Sequence, residues 1–111
     1  MDEKILKLLY DADESIKKID TFVADITFEG YDNNDLLRSA VERQFEILGE
    51  TLNRIKKMDE TLVASIEGYR GAVSFRNVLI HAYDSIDNIV VWSVIKEDLP
   101  KLKKSIENLI K

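Results

Sequence analysis

The sequence predicts an all-α fold, an antiparallel up-and-down bundle of four main helices plus a short extra helix. Apolar residues recur at spacings of three and four along most of the chain, which is typical of helices with one buried face. With one Pro and four Gly in 111 residues, the composition is that of a packed globular protein. The β-branched residues of IDNIVVWSVI, at 86–95, have no second strand with which to pair.

The first two main helices are predicted over residues 2–27 and from Asn34 or Asp35 to about Met58. The apolar positions of the first are Ile5, Leu8, Leu9, Ala12, Ile16, Ile19, Phe22, Val23 and Ile26. Those of the second are Leu36, Leu37, Ala40, Val41, Phe45, Leu48, Leu52 and Ile55. FEGYDNN, at 28–34, is predicted to be the turn between them, so that the two helices form an antiparallel hairpin.

The rest of the chain predicts shorter helices. Residues 59–66 allow one or two helical turns, and another helix is expected from near Gly71 to about Tyr83. A further helical stretch follows, with a kink or a restart at Pro100 and with Trp92 in the core.

The length fits one domain over residues 1–111. The net charge of −5 argues against a general nucleic-acid-binding protein, although residues 36–111 carry +1 and residues 1–35 carry −6. The absence of Cys excludes disulfides and thiolate metal sites. The charged N-terminus and the lack of a long apolar run predict a soluble, cytoplasmic protein with no membrane contact.

Few residues of this chain are candidates for catalysis or for binding a metal or a cofactor. One His and no Cys cannot build the usual zinc site, and no Gly-rich phosphate loop is present, so neither a metal nor a cofactor is expected. What remains is Arg76, Asn77, His81 and Tyr83. Arg76 and His81 lie about 140° apart around a helix, so a single helix does not aim both at one ligand. In a homodimer, Arg76 and His81 of both subunits could meet in one cleft. There His could transfer protons and Arg could stabilise a phosphoryl group.

Three segments carry a resemblance to a known family. RNVLIHAY at 76–83, AVERQFEILGE at 40–50 and IDNIVVWSVIKEDLPKLKKSIENL at 86–109 resemble the HEPN superfamily, and in particular its HepT-like ribonuclease toxins. The likeness is nearly continuous from Ala40 onward. Tyr69 stands where the family commonly has Trp and Phe75 where it has Met, changes that touch packing around the site and leave its polar members in place.

The resemblance implies a metal-independent endoribonuclease toxin that acts on RNA as a homodimer, with Arg76 and His81 catalytic. It implies supporting roles for Asn77 and Glu50. It also implies a partner, a minimal nucleotidyltransferase antitoxin, that neutralises the toxin by transferring adenylyl groups to Tyr83.

Other interpretations of these residues stay open. Arg76 could form a structural ion pair with Glu46 or Glu50, and Tyr83 could be an ordinary half-buried aromatic residue. The chain could instead be a non-catalytic helical adaptor that binds a nucleotidyltransferase or a nucleotide. Gly49 lies in the middle of a predicted helix, where glycine costs about 1 kcal/mol relative to alanine, so a close approach of two helices is expected there.

Overall fold

The computed structural model describes residues 1–81 and 86–111, and those two ranges contain helices and no strand. The elements in chain order are α1 (Glu3–Val23), α2 (Phe28–Asp32), α3 (Asp35–Met58), α4 (Glu60–Ala64), α5 (Tyr69–His81), α6 (Asn88–Ser93), a π-helical turn (Val94–Asp98) and α7 (Leu99–Ile110). The predicted all-α bundle is confirmed.

The two long helices α1 and α3 form the predicted antiparallel hairpin. Lys7 near the start of α1 lies in one surface pocket with Arg54 and Met58 near the end of α3. The Asn34 side chain caps α3 by accepting a hydrogen bond from the backbone N–H of Leu37 at 3.0 Å. Most of the predicted apolar residues of the two helices lie in one shared core, so the hairpin forms the centre of that core, whereas Leu36, predicted on the second stripe, is 81% exposed.

The connection between α1 and α3 differs from the predicted turn. α1 ends at Val23, and residues 28–32 form the short helix α2, which Thr27 caps by accepting from the N–H of Gly30 at 3.1 Å. Tyr31 is fully buried with its ring centroid 5.5 Å from that of Trp92, and burial raises the pKa of its phenol. The packing of Tyr31 explains why a short helix forms where a turn was predicted. Local composition does not reveal this packing.

The C-terminal helices pack back onto the hairpin. Lys103 of α7 forms an ion pair with Asp20 of α1 at 3.1 Å. The irregularity expected at Pro100 is the π-helical turn, which ends two residues before Pro100, and the chain continues from it into α7 without a side-chain cap. Trp92, predicted as a core residue, is half-buried against the core, with the Lys96 ammonium 4.7 Å from its ring centroid.

Helix α3 lies between α1 and α5, and its contact with α5 positions the candidate site. Phe45 of α3 meets Phe75 of α5 edge to face, with ring centroids 5.1 Å apart. Among the residues described, no helix combines the length and the apolar character needed to cross a bilayer.

Candidate functional site

Helix α5 carries the RNVLI residues and His81 of the motif. Tyr69, Phe75 and Leu79 form its buried face, so its rotation is fixed against α3. Arg76 follows Phe75 by one position and therefore lies at the edge of this face, beside α3. The packing of these apolar residues therefore places the Arg76 guanidinium between α3 and α5.

Arg76 is held by an acid of α3. Its Nη2 lies 2.9 Å from Oε2 of Glu50, and its Nη1 donates to Oδ1 of Asn77 at 3.4 Å. The Arg76 side chain is 24% exposed and that of Glu50 48% exposed, so the pair sits at the surface with the arginine stem partly covered. Nε of Arg76 is buried and has no hydrogen-bond partner among the described residues. The structure therefore brings together Arg76, Asn77 and Glu50.

Gly49 makes this arrangement sterically possible. A Cβ atom added at Gly49 would lie 2.4 Å from Cβ of Arg76 and 2.9 Å from its Cδ. The arginine stem thus crosses directly over the backbone of α3, and the guanidinium reaches the next residue, Glu50. The close helix approach predicted at Gly49 is confirmed.

His81 is the last residue of α5 and is exposed. It does not line the surface groove that contains Arg76. The predicted separation of Arg76 and His81 on the helix matches this placement, because one copy of the chain presents them on different sides of α5. Tyr83, the predicted modification site, lies outside the described residues.

An open groove of about 290 Å³ runs between α3 and α5 beside the Arg76–Glu50 pair. The residues lining this α3–α5 groove are Arg43, Glu46, Ile47, Glu50, Thr51, Arg54, Arg76 and Ile80. Nη1 of Arg43 lies 3.3 Å from Oε2 of Glu46. The sequence interpretation missed Arg43 and Arg54, although their spacing from Glu50 places all three on one face of α3.

Exposed apolar side chains occur on both sides of residues 82–85 in the sequence. Val78 and Ile80 on α5 and Ile89 and Val90 on α6 are all exposed. They lie close to His81 along the chain. Such side chains are what an interface between proteins would cover.

One family model and several curated proteins match most of the chain. The model, described as ribonuclease HepT-like, matches residues 12–109. A Methanocaldococcus jannaschii protein described as a candidate RNase is 38% identical over 99 residues, covering 89% of this chain and 90% of that protein. A probable ribonuclease HepT of Thermococcus cleftensis is 37% identical over 103 residues, covering 93% of each chain. No solved structure gives a significant match.

Proposed function

The chain belongs to the HepT-like ribonuclease family of the HEPN superfamily, and on that premise we propose that it is a toxin that cleaves RNA without a metal ion. Its family makes it a ribonuclease of the HEPN type. The single observation that carries the proposal is one helix presenting both Arg76, fixed by Glu50 at an open groove, and an exposed imidazole at its end. These two groups can supply the charge stabilisation and the proton transfer that RNA cleavage needs.

The working unit of this proposal is a homodimer. Arg76 and His81 lie on different sides of α5, so a second copy is needed to face the imidazole of one subunit towards the guanidinium of the other. The exposed Val78 lies three residues before His81 on the same side of α5 and offers apolar surface there for a two-fold contact. A cleft on the two-fold axis would then hold two copies of each catalytic residue.

In this cleft the 2′-oxygen of a ribose attacks the adjacent phosphorus, and the bond from phosphorus to the 5′-oxygen breaks. His81 of one subunit takes the 2′-hydroxyl proton, and His81 of the partner subunit gives a proton to the leaving 5′-oxygen. Arg76 binds the non-bridging oxygens, where negative charge accumulates. Glu50 and Asn77 support Arg76 by restricting its guanidinium. The products are a 2′,3′-cyclic phosphate and a 5′-hydroxyl end.

The direct test is RNA cleavage by the purified chain in the presence of EDTA. We expect shortened RNA with cyclic phosphate ends, and growth arrest when the chain is expressed alone in the cytoplasm of a bacterial host. Intact RNA from a verified dimer, together with normal growth, would contradict the enzyme proposal. The non-catalytic adaptor would then be the better description of the protein.

Control by an antitoxin is the second part of the proposal. A minimal nucleotidyltransferase would transfer AMP from ATP to the hydroxyl of Tyr83, releasing pyrophosphate. Tyr83 follows His81 by two residues, so each AMP would place a bulky anion close to the imidazole in the sequence. That anion would exclude an RNA phosphate by charge and by size.

Co-expression with the nucleotidyltransferase encoded next to this chain tests the switch. We expect a mass increase of one or more AMP groups, located on Tyr83 by peptide mapping, and loss of RNA cleavage. The Tyr83→Phe variant should stay unmodified, whereas Tyr10→Phe, at an exposed tyrosine of α1, should be modified like the wild type. AMP found on any other residue would overturn the assignment.

A further inference from the structure

The α3–α5 groove is lined by a row of three guanidinium groups. Arg43 and Arg54 are eleven residues apart on α3, which places them on one face of the helix and about 16 Å apart along its axis. Arg76 reaches α3 between them, beside Gly49 and Glu50. The rise of the helix puts this point about 9 Å from Arg43 and about 8 Å from Arg54.

The charge of the groove differs from that of the whole chain. The chain carries −5, whereas the groove contains three arginines against two glutamates, Glu46 and Glu50. Each glutamate forms an ion pair with an arginine, Glu46 with Arg43 and Glu50 with Arg76. Among residues 1–81 and 86–111, no carboxylate lies within ion-pair distance of Arg54. The groove is therefore a strip with a net charge of +1 on an acidic protein.

We propose that this groove binds the backbone of single-stranded RNA, with Arg43 and Arg54 contacting phosphates on either side of the one at Arg76. The inference rests on the ribonuclease function proposed above and names the residues that would position its substrate. A strip about 16 Å long matches a few nucleotides of single strand, and guanidinium groups bind phosphate oxygens in pairs. Phosphate contacts carry no base preference, so the groove sets the register of the strand and leaves base selection to other residues.

The two glutamates define the path of the strand. In the free protein Glu50 restricts the guanidinium of Arg76, and Glu46 lies within ion-pair distance of the more exposed Arg43. Their charge also repels phosphates from the positions between the arginines. Bound phosphates should therefore sit over the guanidiniums, and removing the charge of Glu46 should strengthen binding.

The test measures binding of a fluorescein-labelled single-stranded DNA oligonucleotide at several salt concentrations. DNA serves as the probe because it lacks the 2′-hydroxyl and cannot be cleaved by the proposed reaction. Arg43→Gln and Arg54→Gln should each weaken binding about fivefold and reduce the slope of log affinity against log salt by about 0.7. Glu46→Gln should bind more tightly than the wild type.

The matched control is Lys18→Gln, which removes one positive charge from an exposed position of α1 outside the groove. Its affinity should stay within about twofold of the wild type, because Lys18 does not line the groove and its exposed charge is screened by salt. Equal losses in Lys18→Gln and Arg43→Gln would mean that only net charge matters, and would overturn the groove proposal. Dissociation of the dimer in Arg43→Gln or Arg54→Gln would assign the groove to the subunit contact instead.

RNA cleavage separates this inference from the proposed function. In the groove variants we expect KM for RNA to rise about fivefold while kcat changes little, because Arg43 and Arg54 do not touch the reacting atoms. If the wild type binds the oligonucleotide through the groove but cleaves no RNA, the ribonuclease proposal is contradicted and the groove proposal is not. If Arg43→Gln and Arg54→Gln bind the oligonucleotide and cleave RNA like the wild type, the groove proposal is contradicted and the ribonuclease proposal is not.

Discussion

We expect the replacement of His81 by alanine to lower RNA cleavage by at least about a hundredfold and to leave the fold intact. The imidazole is exposed at the last position of α5, so its removal opens no cavity and the free energy of unfolding should change by less than about 0.5 kcal/mol. Loss of a group that transfers protons lowers a cleavage rate by about 10²–10⁴-fold. The measurement is the rate of RNA cleavage at saturating RNA, with thermal unfolding followed in parallel, and growth arrest should disappear with the activity.

Ser74→Ala is the matched control for this substitution. Ser74 is also exposed on α5 and lies away from the α3–α5 groove. Its variant should cleave RNA at the wild-type rate. Full activity in His81→Ala would contradict the assignment of His81, and an equal loss in Ser74→Ala would mean that cleavage depends on the surface of α5 in general.

Mixing subunits tests whether both imidazoles serve one cleft. In an equal mixture of wild-type and His81→Ala subunits at exchange equilibrium, random pairing leaves about a quarter of the dimers with two imidazoles. If each cleavage needs both, the mixture retains about a quarter of the wild-type activity. If each subunit acts alone, about half remains. The lower value is expected, and the higher value would remove the two-histidine mechanism while keeping His81 as a catalytic residue.

The amphipathic pattern of the chain was sufficient to predict its fold class, because a repeat of three and four fixes which face of each helix is buried. The prediction was wrong where a single contact decides the structure. Residues 28–34 contain the Gly and Asn of a turn, yet Thr27 caps a helix there and the burial of Tyr31 holds it. By contrast, the irregularity expected at Pro100 is present as the π-helical turn Val94–Asp98, which ends two residues before the proline.

The candidate site was likewise predicted from the sequence only in part. Its residue types were identified from the motif, and the possible pairing of Arg76 with Glu50 was inferred from their chemistry. The geometry of that pair depends on the distance between α3 and α5, which is set by apolar packing such as that of Phe45 with Phe75. The α3–α5 groove was missed because it forms between two helices that are far apart in sequence. Only the docking of α5 on α3 adds Arg76 to the row of Arg43 and Arg54.

Gly49→Ala should destabilise the protein and impair cleavage, the reverse of what this exchange does in an ordinary helix. Alanine normally stabilises a helix interior by about 1 kcal/mol relative to glycine. Here the added methyl group would lie 2.4 Å from Cβ of Arg76, an atom fixed to the backbone of α5, so the two helices must separate. Overpacking of this kind costs about 1–3 kcal/mol, and the shift would draw the guanidinium away from Glu50. We expect a lower unfolding temperature and cleavage reduced at least about tenfold.

Gly71→Ala supplies the matched control, since it makes the same chemical change in α5. A Cβ at Gly71 meets no atom within 4 Å, so the usual helix preference should apply, with stability gained by up to about 1 kcal/mol and cleavage unchanged. If Gly49→Ala lowers the stability and Gly71→Ala raises it, the loss at Gly49 comes from contact between α3 and Arg76 and not from helix propensity. Stabilisation at both positions would mean that α3 and α5 lie farther apart in solution, and that packing does not hold Arg76 against Glu50.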